Sequence, residues 1–94
     1  MKRQRFHSVW DAIESSPALA ANMKARSDMM LAIRDTVESW KVTQATAAKR
    51  LGLTQPRMND LVRGRVAKFS LDALINLATR AGLSIRVEVT RPAA

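Results

Sequence analysis

Two side-chain amides and a guanidinium stand close together in the run Gln55-Pro56-Arg57-Met58-Asn59-Asp60, with Arg63, Arg65 and Lys68 following. An amide can donate to and accept from the edge of an adenine, and a guanidinium can donate twice to a guanine. Gln55, Asn59 and Arg57 therefore have the chemistry of major-groove base contacts. Arg63, Arg65 and Lys68 flank the run and suit phosphates, which position a protein on a duplex without reading its sequence. On a helix, Thr54, Gln55, Arg57, Asn59, Asp60 and Arg63 take the outward positions, and Pro56 adds an apolar surface suited to a thymine methyl. Spacing alone leaves open which of them meets a base and which a phosphate.

Charge supports the same partner. From Lys41 to Lys68 the basic residues are Lys41, Lys49, Arg50, Arg57, Arg63, Arg65 and Lys68, and the only acid is Asp60. The chain as a whole has 16 basic and 8 acidic residues, so the negative charge lies elsewhere. A solvated bundle face mixes signs; a one-signed stretch over a groove-sized element is a phosphate footprint.

The elements that must position these residues are written in caps and glycines. Thr43 is placed to cap a short helix from Gln44 to Leu51, and Thr54 a second one from Gln55 to Arg63. Gly52 supplies a left-handed turn between them, Pro56 sits where a missing N–H costs nothing, and Gly64 ends the pair. Ala48 allows a close crossing, while Leu51, Leu53, Met58 and Leu61 face inward. This is a helix-turn-helix over residues 43–64. Any small bundle could share the caps and the glycine; the charge map separates this one from a plain helix pair.

The run T-Q-A-T-A-A-K-R-L-G-L-T-Q-P-R-M-N-D-L-V-R-G resembles the Cro/repressor (XRE) class of helix-turn-helix proteins. S-V-W-D-A-I at 8–13, A-N-M-K at 21–24 and F-S-L-D-A-L at 69–74 are similar to short XRE proteins related to HigA-type antitoxins. The resemblance covers most of the chain, from about Phe6 to Val89. It implies a transcriptional regulator that binds a palindromic operator on double-stranded DNA. It also implies a HigB/RelE-like toxin of the mRNA-cleaving type as partner, and repression of the protein's own operon. Within that class Gln55 corresponds to a base contact and Gln44, at the start of the preceding helix, to a phosphate contact. Pro56 departs from the polar residue that many members carry. The alternative is a stand-alone XRE regulator with no toxin.

Composition narrows the rest. Ninety-four residues make one domain, 1–94. With no cysteine and one histidine, His7, neither a disulfide nor a metal site is expected, and no cofactor. No nucleophile–base pair or phosphate-cradling glycine loop is present, so no enzyme is expected. No apolar run follows the basic start or is long enough for a bilayer, so the expected location is cytoplasmic, away from membranes.

The remaining segments read as support. The expected fold is mainly α: a Cro/repressor-like bundle of about five helices with one C-terminal strand pairing between subunits. Ser8 and Asp11 predict a short helix to Glu14 inside an N-terminal extension, residues 1–24. That extension carries Phe6, Val9, Trp10, Ile13, Leu19 and Met23, more apolar surface than a minimal DNA-binding bundle needs. Ser16 and Pro17 open a longer helix to Trp40, with a possible restart at Ser27-Asp28; Met23, Met30, Ile33, Val37 and Trp40 form its core stripe. Ser70 caps another, through Ala81, whose apolar face is Leu71, Leu74, Ile75, Leu77 and Ala78. Residues 84–90 change to period two and predict a strand. A lone strand must find a partner, so a homodimer is expected through Ile85, Arg86, Val87, Glu88 and Val89. Antiparallel pairing centred on Val87 sets Arg86 against Glu88 and Ile85 against Val89; centring on Arg86 would oppose like charges.

Overall fold

Every helix begins where a Ser or Thr hydroxyl can take one of the amides that the first turn leaves unpaired. In the computed structural model, which describes residues 16 to 92, Ser16 Oγ accepts from Leu19 N–H at 3.3 Å and Thr43 Oγ1 from Thr46 N–H at 3.1 Å. Thr54 Oγ1 accepts from Arg57 N–H at 3.4 Å and Ser70 Oγ from Ala73 N–H at 3.1 Å. The helices so started are α1 (Pro17–Ser39), α2 (Gln44–Leu51), α3 (Gln55–Val62) and α4 (Leu71–Arg80), with a 3-10 turn at Val66–Lys68 between the last two. All four caps stand where the sequence puts them.

The ends are equally local. Gly52, Gly64 and Gly82 have φ of 70°, 71° and 88°. Past each, the next residue's amide reaches back over the helix end: Leu53 N–H to Ala48 O, Arg65 N–H to Asp60 O, and Leu83 N–H to Ala78 O. This is one glycine-based stop used three times.

Packing follows the apolar stripes. Met30 and Ile33 of α1, Ala47, Ala48 and Leu51 of α2, Met58 and Leu61 of α3, and Leu74, Leu77 and Ala78 of α4 form one core, closed by Phe69. Leu53, Val37 and Trp40 pack against it partly buried. Met23 is buried nearer the start of α1, and no described polar or charged residue is buried.

Four expectations change. α1 runs unbroken through Ser27-Asp28, with Lys24 Nζ and Asp28 Oδ2 paired at 3.0 Å across that point. Arg63 is the C-cap of α3, not its last helical residue. The described residues hold four α-helices and the 3-10 turn instead of about five helices; the helix expected before Glu14 lies outside the described residues. No strand forms among the described residues, and residues 83 to 92 have no regular structure. The physical reason is that an alternating sequence makes a strand only by pairing, and the described residues offer it no ladder. Leu83 packs on the core, and Ser84, Ile85 and Arg86 run beside Asp28, Met29 and Ala32 of α1, lining with them a shallow hollow of about 250 Å³. Val87 and Val89 are 78% and 89% exposed.

Candidate nucleic-acid interface

α2 and α3 are joined by three residues, Gly52-Leu53-Thr54. Ala47 and Ala48 are buried beneath α2, and Met58 and Leu61 are fully buried beneath α3, so the apolar stripes lock the pair against α1 and α4. The opposite side of α3 is left to solvent. That arrangement, a short glycine turn and a capped second helix with a polar outer face, is a helix-turn-helix.

The expected site residues separate into two groups. Gln44, Gln55, Pro56, Arg63 and Lys68 are exposed, and no described group holds the Gln44, Gln55 or Arg63 side chains. Gln55 and Pro56 form the first turn of α3, the part that comes nearest base edges in this docking geometry. Thr54 is also exposed, but its hydroxyl is engaged in capping α3. Gln44 opens α2 and lines a hollow of about 420 Å³ bordered by Arg34, Glu38, Val42 and Val62.

The second group is tied inward. The Arg57 guanidinium lies 4.0 Å from the centroid of the buried Phe69 ring, a cation–π contact. Arg57 Nη1 also donates to Lys68 O at 2.8 Å and stands 4.0 Å from Asp60 Oδ2. Asp60, its side chain only 16% exposed, accepts from Arg65 Nη1 at 3.0 Å. Asn59 is half-buried. Spacing along a helix placed Arg57 and Asp60 outward; Phe69 and Arg65, both beyond the helix end, draw them aside.

Sequence reasoning missed three arginines that act as tertiary anchors, Arg34, Arg26 and Arg50. Arg34 Nη2 donates to Val62 O at 2.8 Å, so α1 caps the C-terminal end of α3. Arg26 Nη1 donates to Phe69 O at 3.0 Å and fixes the residue on which Arg57 rests. The Arg80 guanidinium also lies over Gly52, where an added Cβ would stand 2.7 Å from Nη1, but no described acceptor holds it and it is not such an anchor. Arg50 covers the Trp40 ring at 4.8 Å and ties the end of α2 to the end of α1. No sequence signal distinguishes these from surface cations, because their partners are backbone oxygens or rings far along the chain.

Among the described residues, no cluster of three or more His, Cys, Asp or Glu is placed to hold a metal ion. No described helix is long and apolar enough to cross a membrane.

A capped second helix that turns its polar side outward, with cations on either side, defines a helix-turn-helix DNA-binding protein. The comparison with protein families agrees: residues 13–90 match the family described as "Helix-turn-helix domain", and the chain belongs to it. No curated protein matches the chain.

Proposed function

We propose that this chain is a sequence-specific transcriptional regulator of the Cro/repressor (XRE) type, which binds a palindromic operator as a homodimer in the cytoplasm. The observation that carries it is the first turn of α3: Gln55 and Pro56 are exposed at the capped end, with no described contact competing for the Gln55 amide. Arg63, at the other end of α3, and Lys68 beyond it are exposed and suited to phosphate contacts. The experiment is selection of bound duplexes from a random library with the wild-type protein. A two-fold symmetric consensus, lost with Gln55→Ala, supports the reading; binding with no sequence preference, or preference unchanged by Gln55→Ala, refutes it.

The dimer rests on Ile85, Val87 and Val89, β-branched and exposed on a segment with no ladder of its own. An antiparallel ribbon centred on Val87, with Arg86 opposite Glu88, gives those backbone groups partners.

The resemblance to HigA-type antitoxins extends the proposal: the protein represses its own operon and masks a HigB/RelE-like toxin. Leu19, 43% exposed in the first turn of α1, leaves apolar surface at the start of the helix for such a contact. Co-expression with the product of the adjacent gene tests this. A stable complex that relieves growth arrest supports it; a neighbour that neither binds nor poisons the cell leaves a stand-alone regulator.

A further inference from the structure

Asp60 is the single carboxylate among the basic residues from Lys41 to Lys68, and it stands on the helix proposed to enter the groove. It is not free to meet DNA. One oxygen accepts from Arg65 at 3.0 Å, and the other lies 4.0 Å from Arg57. The pairing with Arg65 is built into the helix end. Gly64 turns the chain left-handed, Arg65 N–H donates to Asp60 O at 3.0 Å, and the Arg65 side chain then returns to the carboxylate of the same residue. Arg57 is further held by Phe69 and Lys68 O.

We propose that Asp60 is a positioning residue that limits the sequence-independent part of DNA affinity, by keeping Arg65, and with it Arg57, paired within the protein. Phosphates are the same on every duplex, so each arginine that is free to reach one raises affinity for all sequences alike. A carboxylate between two such arginines lowers that common term and leaves the contacts of Gln55 untouched. Every duplex is held more weakly as a result, and release from non-operator DNA is correspondingly faster. This inference rests on the DNA-binding reading above.

The test is Asp60→Asn, which keeps the shape and an oxygen acceptor for Arg65 but removes the charge. Binding is measured against the duplex selected by the wild-type protein and against a random-sequence duplex of equal length, across a salt series. Each released arginine that finds a phosphate steepens the salt dependence by about 0.9 and tightens random-duplex binding by about 5-fold at about 0.15 M salt. Random-duplex affinity should therefore rise by about 5-fold, from Arg65, since Arg57 keeps Phe69 and Lys68 O. The selected duplex should gain by the same factor, because the added contacts are to phosphate alone. Asp60→Glu, which restores the charge, should return the slope to the wild-type value. In an Arg65→Gln background, the increment from Asp60→Asn should shrink. A merely structural Asp60 would move melting temperature and weaken both duplexes, with no steeper slope, and that result overturns the proposal. So does an unchanged slope in a folded Asp60→Asn protein while the wild type still discriminates. Failure of the wild type to bind any duplex would instead overturn the DNA-binding reading, and this inference with it.

Discussion

Replacing each glycine by alanine should produce a graded loss of stability whose order is set by what an added methyl meets. All three glycines have positive φ, and a left-handed backbone costs an L side chain about 1–2 kcal/mol. At Gly82 nothing lies within 4 Å of the added Cβ, so Gly82→Ala should cost only the backbone term, about 1 kcal/mol. At Gly52 the Cβ would stand 2.7 Å from Arg80 Nη1, the far end of a flexible side chain that no described acceptor holds. Arg80 can swing aside, and the cost should stay close to that of Gly82→Ala. At Gly64 the Cβ would stand 3.0 Å from Arg34 Nη1, a longer contact, yet this guanidinium is tied to Val62 O at 2.8 Å. Moving it sacrifices a charged hydrogen bond which, on an exposed arginine, is worth about 1 kcal/mol. Gly64→Ala should thus cost about 2–3 kcal/mol, the largest of the three although its clash is not the closest. For a domain of this size each kcal/mol lowers the melting temperature by about 4–8 °C, so circular dichroism melts can resolve the order. The double variant Arg34→Ala/Gly64→Ala isolates the contact, with a coupling of about 1 kcal/mol expected. Lys41 runs the argument backwards: it carries a side chain at φ 57°, and Lys41→Gly should raise the melting temperature. A Gly64→Ala protein no less stable than Gly82→Ala, or zero coupling to Arg34, would refute the reasoning.

Three other outcomes follow. Met58→Ala, at a fully buried position beneath α3, should cost about 2–5 kcal/mol in urea unfolding, whereas Val62→Ala, 41% exposed, should cost far less. Arg63→Ala or Lys68→Ala should weaken every duplex alike and reduce the salt slope by about 1 each, while Gln55→Ala should cost about 1–3 kcal/mol on the selected operator alone. Truncation before Ser84 should shift the protein towards monomer in analytical ultracentrifugation and weaken operator binding; a truncated protein that remains dimeric at low concentration removes the ribbon from the account.

Where sequence sufficed, the interaction was short-range. A Thr at 43 or 54 and a Ser at 16 or 70 cap the amide three residues on, so residue type and spacing already contain the geometry. The same holds for Gly52, Gly64 and Gly82, since a left-handed φ is a property of one residue. The inward stripe of α1 at Met23, Met30 and Ile33 was legible because burial on a helix repeats with its turn. The Ser27-Asp28 restart fails for the opposite reason. A capping pair competes with continuing the helix, and the packing of Met23 and Met30 on either side keeps α1 in one piece.

The candidate site was legible in its outline and not in its wiring. Exposed Gln55 and Pro56 need only the cap at Thr54 and the helix period to place them. Arg57 and Asp60 lie on the same short helix, yet their partners lie past its end: Phe69 is twelve residues from Arg57 and Arg65 five from Asp60. Arg26 and Arg34 reach backbone oxygens 43 and 28 residues away, distances over which no periodicity carries information. The cations of this chain thus divide by what they can find within the fold. Arg34, Arg57 and Arg65, which meet a carbonyl, a ring or a carboxylate, tie α3 to its neighbours. Arg63 and Lys68, exposed and with no described side-chain partner, are the ones proposed to meet phosphate. A charge count over residues 41–68 sees one basic stretch; the fold makes of it a clamp and a footprint, with Asp60 at the boundary between them.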